Sequence, residues 1–257
     1  VENQNLHAAG HYDMVIIVPT SGKLVGQAQR LADAHAAKDG MRCLVVTADK
    51  IYNEFSSGMP DATAYRRFMK MLYDRATGDS DVPKNLLLFG DGVWDNRMRT
   101  ATMKDKKADD YLLCYESDNS VSHTNSFVLE EYFSLLDDGE GISPLKEKLD
   151  IGVGRIPVVT AVEADEVVDK LVGYINNEEV GAWKNTICVL GDDGDANLHM
   201  DDAEEVLTST QANYPEYHYR RIYWDAYTLE NTSTGASFPG AYADINKQME
   251  DGALIMN

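Results

Sequence analysis

The chain has 257 residues, 44% of them hydrophobic and 26% charged, enough for one large apolar core or two modest ones. Acidic residues outnumber basic ones by 43 to 23, a net charge of −20. That balance speaks against nucleic acid, whose phosphates would be repelled, and against simple adsorption to anionic lipid; it fits either general solubility or acidic loops that hold calcium.

Residues 1–12 read as a leader into the continuous apolar run Met14–Val18, the pattern of a strand buried on both faces. Helical spacing follows at Leu24, Ala28, Leu31, Ala32 and His35 and stops at Gly40. Residues 41–47 read as a second strand. Asp61 is placed to cap a helix whose apolar stripe is Tyr65, Phe68, Met69, Leu72 and Ala76. Asn85–Phe89 is a third strand, closed by Gly90-Asp91-Gly92. Apolar strands alternating with amphipathic helices imply right-handed βαβ units and a parallel sheet covered on both faces.

Residues 93–148 break this rhythm. Polar stretches at 98–110 and 116–125 enclose and precede short strand-like runs at 111–115 and 127–136, and long excursions of this kind usually line or cover a site. Residues 150–155 restore the strand pattern, which Ile156-Pro157 ends. Thr160 and Glu163 form a capping box for a helix striped by Ala164, Val167, Val168, Leu171 and Ile175. A strand at 186–190, a helix marked by Met200, Ala203, Val206 and Leu207, a strand at 219–223 and a helix with Tyr242, Ile245 and Met249 follow. Gly252-Ala253-Leu254-Ile255-Met256-Asn257 opens like a buried strand. The expectation is an α/β chain of two subdomains, 13–157 and 158–257, the second incomplete, and a piece of a longer or processed polypeptide. Neither a signal peptide nor an apolar span of membrane length is visible.

Gly191-Asp192-Asp193-Gly194-Asp195-Ala196-Asn197 lies past a strand end, where open α/β sheets bind ligands. Asp192, Asp193, Asp195 and Asn197 offer oxygens for a hard cation such as Ca²⁺, without EF-hand spacing. The other reading is a polar turn with an acidic helix start. His199 fits a structural role as well as a functional one. Gly90-Asp91-Gly92 also follows a strand, but no Walker lysine or GxGxxG pattern accompanies it, so a phosphate cradle is not expected. Glu130-Glu131-Tyr132 and Asp137-Asp138-Gly139 read, alone, as solvated acidic turns. Cys43, Cys114 and Cys188 each sit in an apolar run with neither disulfide nor zinc spacing and read as inert core residues. No cysteine or serine has an evident histidine partner: His7 and His11 are in the leader, His35 is on a helix, and His123 and His218 are isolated.

Four stretches carry a resemblance. They are Ile51-Tyr52-Asn53-Glu54-Phe55-Ser56-Ser57-Gly58-Met59-Pro60-Asp61-Ala62, Leu86-Leu87-Leu88-Phe89-Gly90-Asp91-Gly92, Asp150-Ile151-Gly152-Val153-Gly154-Arg155-Ile156-Pro157, and Asp192-Asp193-Gly194-Asp195-Ala196-Asn197-Leu198-His199-Met200. In this order they resemble the gingipain family of cysteine peptidases, and within it the sortase branch of type IX secretion. The resemblance implies a caspase-like, Rossmann-like arrangement of parallel sheets covered by helices, and a Cys–His dyad. In the family the histidine follows a strand like that at 252–257 and the cysteine follows a later one, so both dyad members are expected beyond Asn257 and this chain alone is expected to be inactive. Glu130 stands where some members carry a carboxylate that orients the dyad histidine, with Glu in place of Asp and Leu129 in place of Ser or Thr. Asp137 and Asp138 fall near the family's specificity pocket. The branch implies secreted substrates with C-terminal sorting domains, a lipopolysaccharide amine as acceptor, other type IX outer-membrane components as partners, and a place at the outer-membrane surface. Calcium is compatible and no cofactor is required. A gingipain-like protease without transfer, and a non-catalytic scaffold of the same fold, are the alternatives.

Overall fold

The computed structural model describes residues 3–117, 122, 124–233 and 235–257. His123 lies outside them. The chain divides into two compact units, Val1–Glu178 and Glu179–Asn257.

In the first unit, β1 (Met14–Val18), β2 (Cys43–Thr47), β3 (Asn85–Phe89) and β4 (Gly152–Ile156) form a wholly parallel sheet in the order β2-β1-β3-β4. β1 takes an inner place because Val15, Ile16, Ile17 and Val18 are all apolar and all buried. Alternation sends Val15 and Ile17, with Leu86 and Leu88 of β3, to one face, and Ile16, Val18 and Phe89 to the other. The other face is covered by α1 (Val25–Asp39), through Ala28 and Leu31. α2 (Ala48–Phe55) and α3 (Thr63–Asp74) cover the first face through Ile51, Phe68 and Met69. α4 (Ala161–Ile175) lies beside α1, with Ala164 and Val168 in the same cluster. Each fully buried Val, Leu, Ile, Phe or Met among these contributes about 1.5–3 kcal/mol.

The helix boundaries follow their local chemistry. Gly40 ends α1 in the left-handed region, at φ 68°, returning its N–H to the His35 carbonyl. The Thr160–Glu163 capping box opens α4 as its spacing predicts. Asp61 accepts the Thr63 N–H at 2.9 Å from one residue ahead of the cap position.

Several expectations are corrected. α2 has no counterpart in the sequence reading, because its eight residues leave too short a period to recognise. The run 127–136 is not a strand: Glu130–Ser134 winds as a 3-10 turn. Tyr132, Phe133, Ser134, Leu135 and Leu136 are all buried in succession, which alternation in a strand would forbid. The boundary expected near Val158 falls after α4 instead, because that helix buries its stripe against α1.

In the second unit, β5 (Thr186–Gly191) is followed by α5 (Leu198–Asn213) and β6 (His218–Tyr223). A short antiparallel hairpin comes next, β7 (Glu230–Thr232) with β8 (Gly235–Ser237), then α6 (Pro239–Asp251) and β9 (Ile255–Met256). The sheet order is β6-β5-β9, all parallel. The closing apolar run is therefore a strand beside β5, pairing Ile187 with Ile255 and Cys188 with Met256. The stripes expected on α5 and α6 are only partly used. Met200 and Leu207 are buried, but Val206 is 64% exposed, and α6 turns Ala241 and Gln248 inward rather than Tyr242 and Met249.

The leader is not free chain. Its backbone makes a 3-10 turn at Leu6–Ala8 that hangs from Glu54 of α2. Glu54 accepts the Gln4 side chain at 2.8 Å, the Leu6 N–H at 2.7 Å and the His7 N–H at 3.0 Å. His7 adds its ring nitrogen at 2.7 Å and stacks on Phe55. Burial pushes the Glu54 carboxyl up, but these donors outweigh it and pull it down to about 2. A depressed folded value means the contribution is complete above the ordinary 4.5 and fades as pH falls through about 2. Amide NMR of Leu6 and His7 should therefore show the leader detaching in that window, and Glu54→Gln should loosen it at every pH. A leader that stays fully docked well below pH 2 would contradict this assignment.

Candidate functional site

Parallel strands deliver their loops to one rim of the sheet, the carboxyl end, and Arg155 and Glu130 meet there. β3 leaves through Gly90-Asp91-Gly92. A Cβ on Gly90 would lie 2.7 Å from the Pro19 ring, and one on Gly92 would collide with the Cys114 sulfur. Both glycines are thus needed for close approach of segments, not for a phosphate.

Arg155, near the end of β4, occupies the space so made. Its Nη1 donates to the Gly90 carbonyl at 3.0 Å and its Nη2 to the Leu113 carbonyl at 3.2 Å. Nε and Nη2 both donate to Glu130 Oε1, at 3.0 and 2.7 Å. The side chains of Arg155 and Glu130 are only 12% and 21% exposed. Glu130 opens the 3-10 turn that the sheet end carries, and the turn is braced by Tyr132, whose ring stacks on Tyr115 at 3.6 Å and lies under the Arg66 guanidinium.

Among the described residues, Glu130 Oε2 is buried and meets no N–H or O–H donor, while the Cys114 thiol bonds the carboxyl weakly. Burial raises the Glu130 carboxyl above its ordinary value, against the opposing pull of Arg155. The Cys114 thiol lies beside it and is likewise raised, first by burial and further by Glu130, which outweigh Arg155. Burial raises Cys43 and Cys188 as well. Thiols held protonated in this way are poor nucleophiles, in keeping with their reading as core residues. Chemically, the site is a buried carboxylate with one oxygen fixed by a guanidinium and a protonated thiol beside it.

The remaining candidates stand elsewhere. Leu136 and Asp137 donate their N–H groups to Asp150, two residues ahead of β4. Arg155 lies about 16 Å of extended chain further on, so Asp137 and Asp138 belong to the opposite, amino-end rim and do not join Glu130. Asp138 pairs with Lys70 at 2.9 Å, and Asp137 accepts the Tyr73 hydroxyl at 3.1 Å. Among the described residues, Asp137, Glu140 and Asp150 bring ligand atoms within 4.8 Å of one another. Asp150 and Glu140 there already accept the Asp137 N–H, which makes the group a lock on the turn.

The calcium expectation at 192–197 finds no such gathering of Asp192, Asp193 and Asp195. Asp192 is committed to His199 Nδ1 at 2.7 Å and to the Gly194 N–H at 3.2 Å. Asp195, Ala196 and Asn197 all take left-handed backbone, at φ 46°, 58° and 68°, and Asp193 is exposed. The arrangement does not fit a cation cage.

Residues 7–257 match peptidase family C25. The chain belongs to that family. It is similar to latent PorU from Porphyromonas gingivalis, a dimer in its crystal structure, at 38% sequence identity and a TM-score of 0.61. The similarity covers 72% of this chain but 17% of that one, so this chain spans a small part of its neighbour's length. No curated protein matches. The four-stranded parallel sheet flanked by helices is the caspase-like fold that the resemblance implied. Arg155 is the residue that sequence reasoning passed over. Its signal was a lone charge inside an apolar strand within a motif already noted.

The Asp192–His199 pair gives a direct check. Asp192 raises His199 above 6.5, and His199 lowers Asp192 below 3.8. The bond is complete between those values, and the His199 share is lost as pH rises through its raised midpoint. An NMR titration should place that midpoint above 6.5 at low salt, and Asp192→Asn should bring it back down. Identical midpoints in both proteins would contradict the pairing.

Proposed function

We propose that this chain is part of a cysteine peptidase of the gingipain–PorU type that acts as a transpeptidase on secreted proteins. The observation that carries the reading is the 38% identity to PorU together with the family match over residues 7–257. In this reading β9 leads to the dyad histidine beyond Asn257, and the cysteine follows a later strand. The cysteine thiol gives its proton to the histidine, and the thiolate attacks a peptide carbonyl. The carbonyl–nitrogen bond then breaks, the amine leaves with the proton, and an acyl-enzyme remains. Water or an amine resolves it.

The substrates are secreted proteins with a C-terminal sorting domain, the acceptor is an amine on surface lipopolysaccharide, and the enzyme works at the outer-membrane surface beside other type IX components. No helix among the described residues is long and apolar enough to cross a membrane. Glu130 is the carboxylate assigned to orient the histidine ring. Its support is the position in the resemblance and an Oε2 that meets no N–H or O–H donor among the described residues.

The parent protein, given a substrate with a sorting domain and a labelled primary amine, should release the domain and place the label on the new carboxyl terminus. Release without label would reduce it to a peptidase, and no release would remove the reading. In that protein Glu130→Gln should lower kcat on the order of 10²-fold with KM little changed. The 257-residue chain alone should show no turnover. Turnover abolished by alkylating Cys43, Cys114 or Cys188 would overturn the placement of the nucleophile.

A further inference from the structure

An arginine that only closed a rim would be expected to spread its fork over both oxygens of a carboxylate. Arg155 does not. It sends Nε and Nη2 to the same atom, Glu130 Oε1, at 3.0 and 2.7 Å. Among the described residues, Oε2 receives neither an N–H nor an O–H. The guanidinium is itself fixed, since it also donates to the Gly90 and Leu113 carbonyls. Arg155 lies within β4, where it pairs with Leu88 of β3. The carboxyl of Glu130 is thus anchored to the sheet rather than to its own short turn, and sheets hold a group more precisely than loops do.

The charge of that carboxyl depends on the same contact. Three groups act on it: Arg155 from β4, the Cys114 thiol from the segment ahead of the turn, and Glu131 beside it. Burial and Glu131 favour the neutral acid, whereas Arg155 and the thiol favour the carboxylate. Arg155 is the cation of the set. Without it, a carboxyl largely out of water would keep only a weak S–H donor and would take up a proton instead. A neutral acid could still accept an N–H, but it would no longer offset the charge of an imidazolium.

We propose that Arg155 is a positioning residue for the peptidase reaction, holding Glu130 fixed and charged so that it can orient the dyad histidine. The proposal rests on the reading of Glu130 given above.

The test is the pH profile of kcat in the parent protein. Glu130 works charged, so activity rises as pH climbs through its midpoint. Loss of the cation moves that midpoint, and the acidic limb with it, to higher pH. Arg155→Met should do this and should lower kcat near neutral pH about tenfold or more, with KM little changed. Arg155→Lys restores the charge without the fork, so the limb should return toward its native place while kcat stays reduced. With Glu130→Gln already present, Arg155→Met should leave the limb unmoved and lower kcat by less than about threefold more. A limb that stays put in Arg155→Met, or moves as far beside Glu130→Gln, would defeat the proposal and leave the role of Glu130 standing. Full kcat in Glu130→Gln would remove that role, and the proposal with it. Should Arg155→Met fail to fold, Arg155→Lys decides: an equal fall in kcat with and without Glu130→Gln would make Arg155 merely structural.

Discussion

The guanidinium of Arg155 is the interaction on which the carboxyl-end rim of the first unit depends. One planar side chain reaches the Gly90 carbonyl, the Leu113 carbonyl and Glu130, so the exit of β3 and two distant parts of the excursion share a single donor group. Each acceptor is largely removed from water, where an unmet carbonyl or carboxylate costs several kcal/mol. Lysine could not replace it, since an ammonium lacks the fixed fork that spans three partners. The glycines at 90 and 92 belong to the same device, because they let the segments close around it.

The excursion from 93 to 150 is fastened elsewhere by the same means. Arg66 of α3 donates to the Leu135 and Glu140 carbonyls, and Lys70 donates to that of Leu136. In a chain with 23 basic residues and 43 acidic ones, these cations are placed inward, on backbone that no sheet or helix would otherwise satisfy. Pairs such as Arg30 with Asp165 are half exposed and contribute little. The acidic surplus remains largely on the surface, where it keeps the chain soluble without fixing its fold.

Much of the architecture was legible because it rests on periodicity. β1 and β3 read correctly to the residue as unbroken apolar runs, and α1 and α4 as stripes ended by Gly40 and opened by Thr160. What escaped was set by tertiary contact. The 127–136 segment has the composition of a strand but winds, since residues 132–136 are all buried in succession. The unit boundary escaped because the packing of α4 on α1 is not written in local pattern. At the rim, Glu130 was reached only through resemblance, and Arg155 not at all, since a charge within a strand has no meaning until its partners are in place. The 192–197 loop shows the converse: four oxygen-bearing residues in a short span suggested calcium, and a neighbouring histidine took the first of them.

The account turns on Arg155 tying the excursion to the sheet, and amide hydrogen exchange in Arg155→Met measures that tie. The Leu112 N–H bonds the Asp91 carbonyl at 2.9 Å and the Leu129 N–H bonds that of Tyr115 at 2.8 Å, each next in sequence to a residue that the guanidinium holds. Their protection should fall on the order of 10²-fold, while the amides of Ile16 and Leu88 inside the sheet keep theirs. Unchanged protection at Leu112 and Leu129, or an equal fall throughout the first unit, would contradict it.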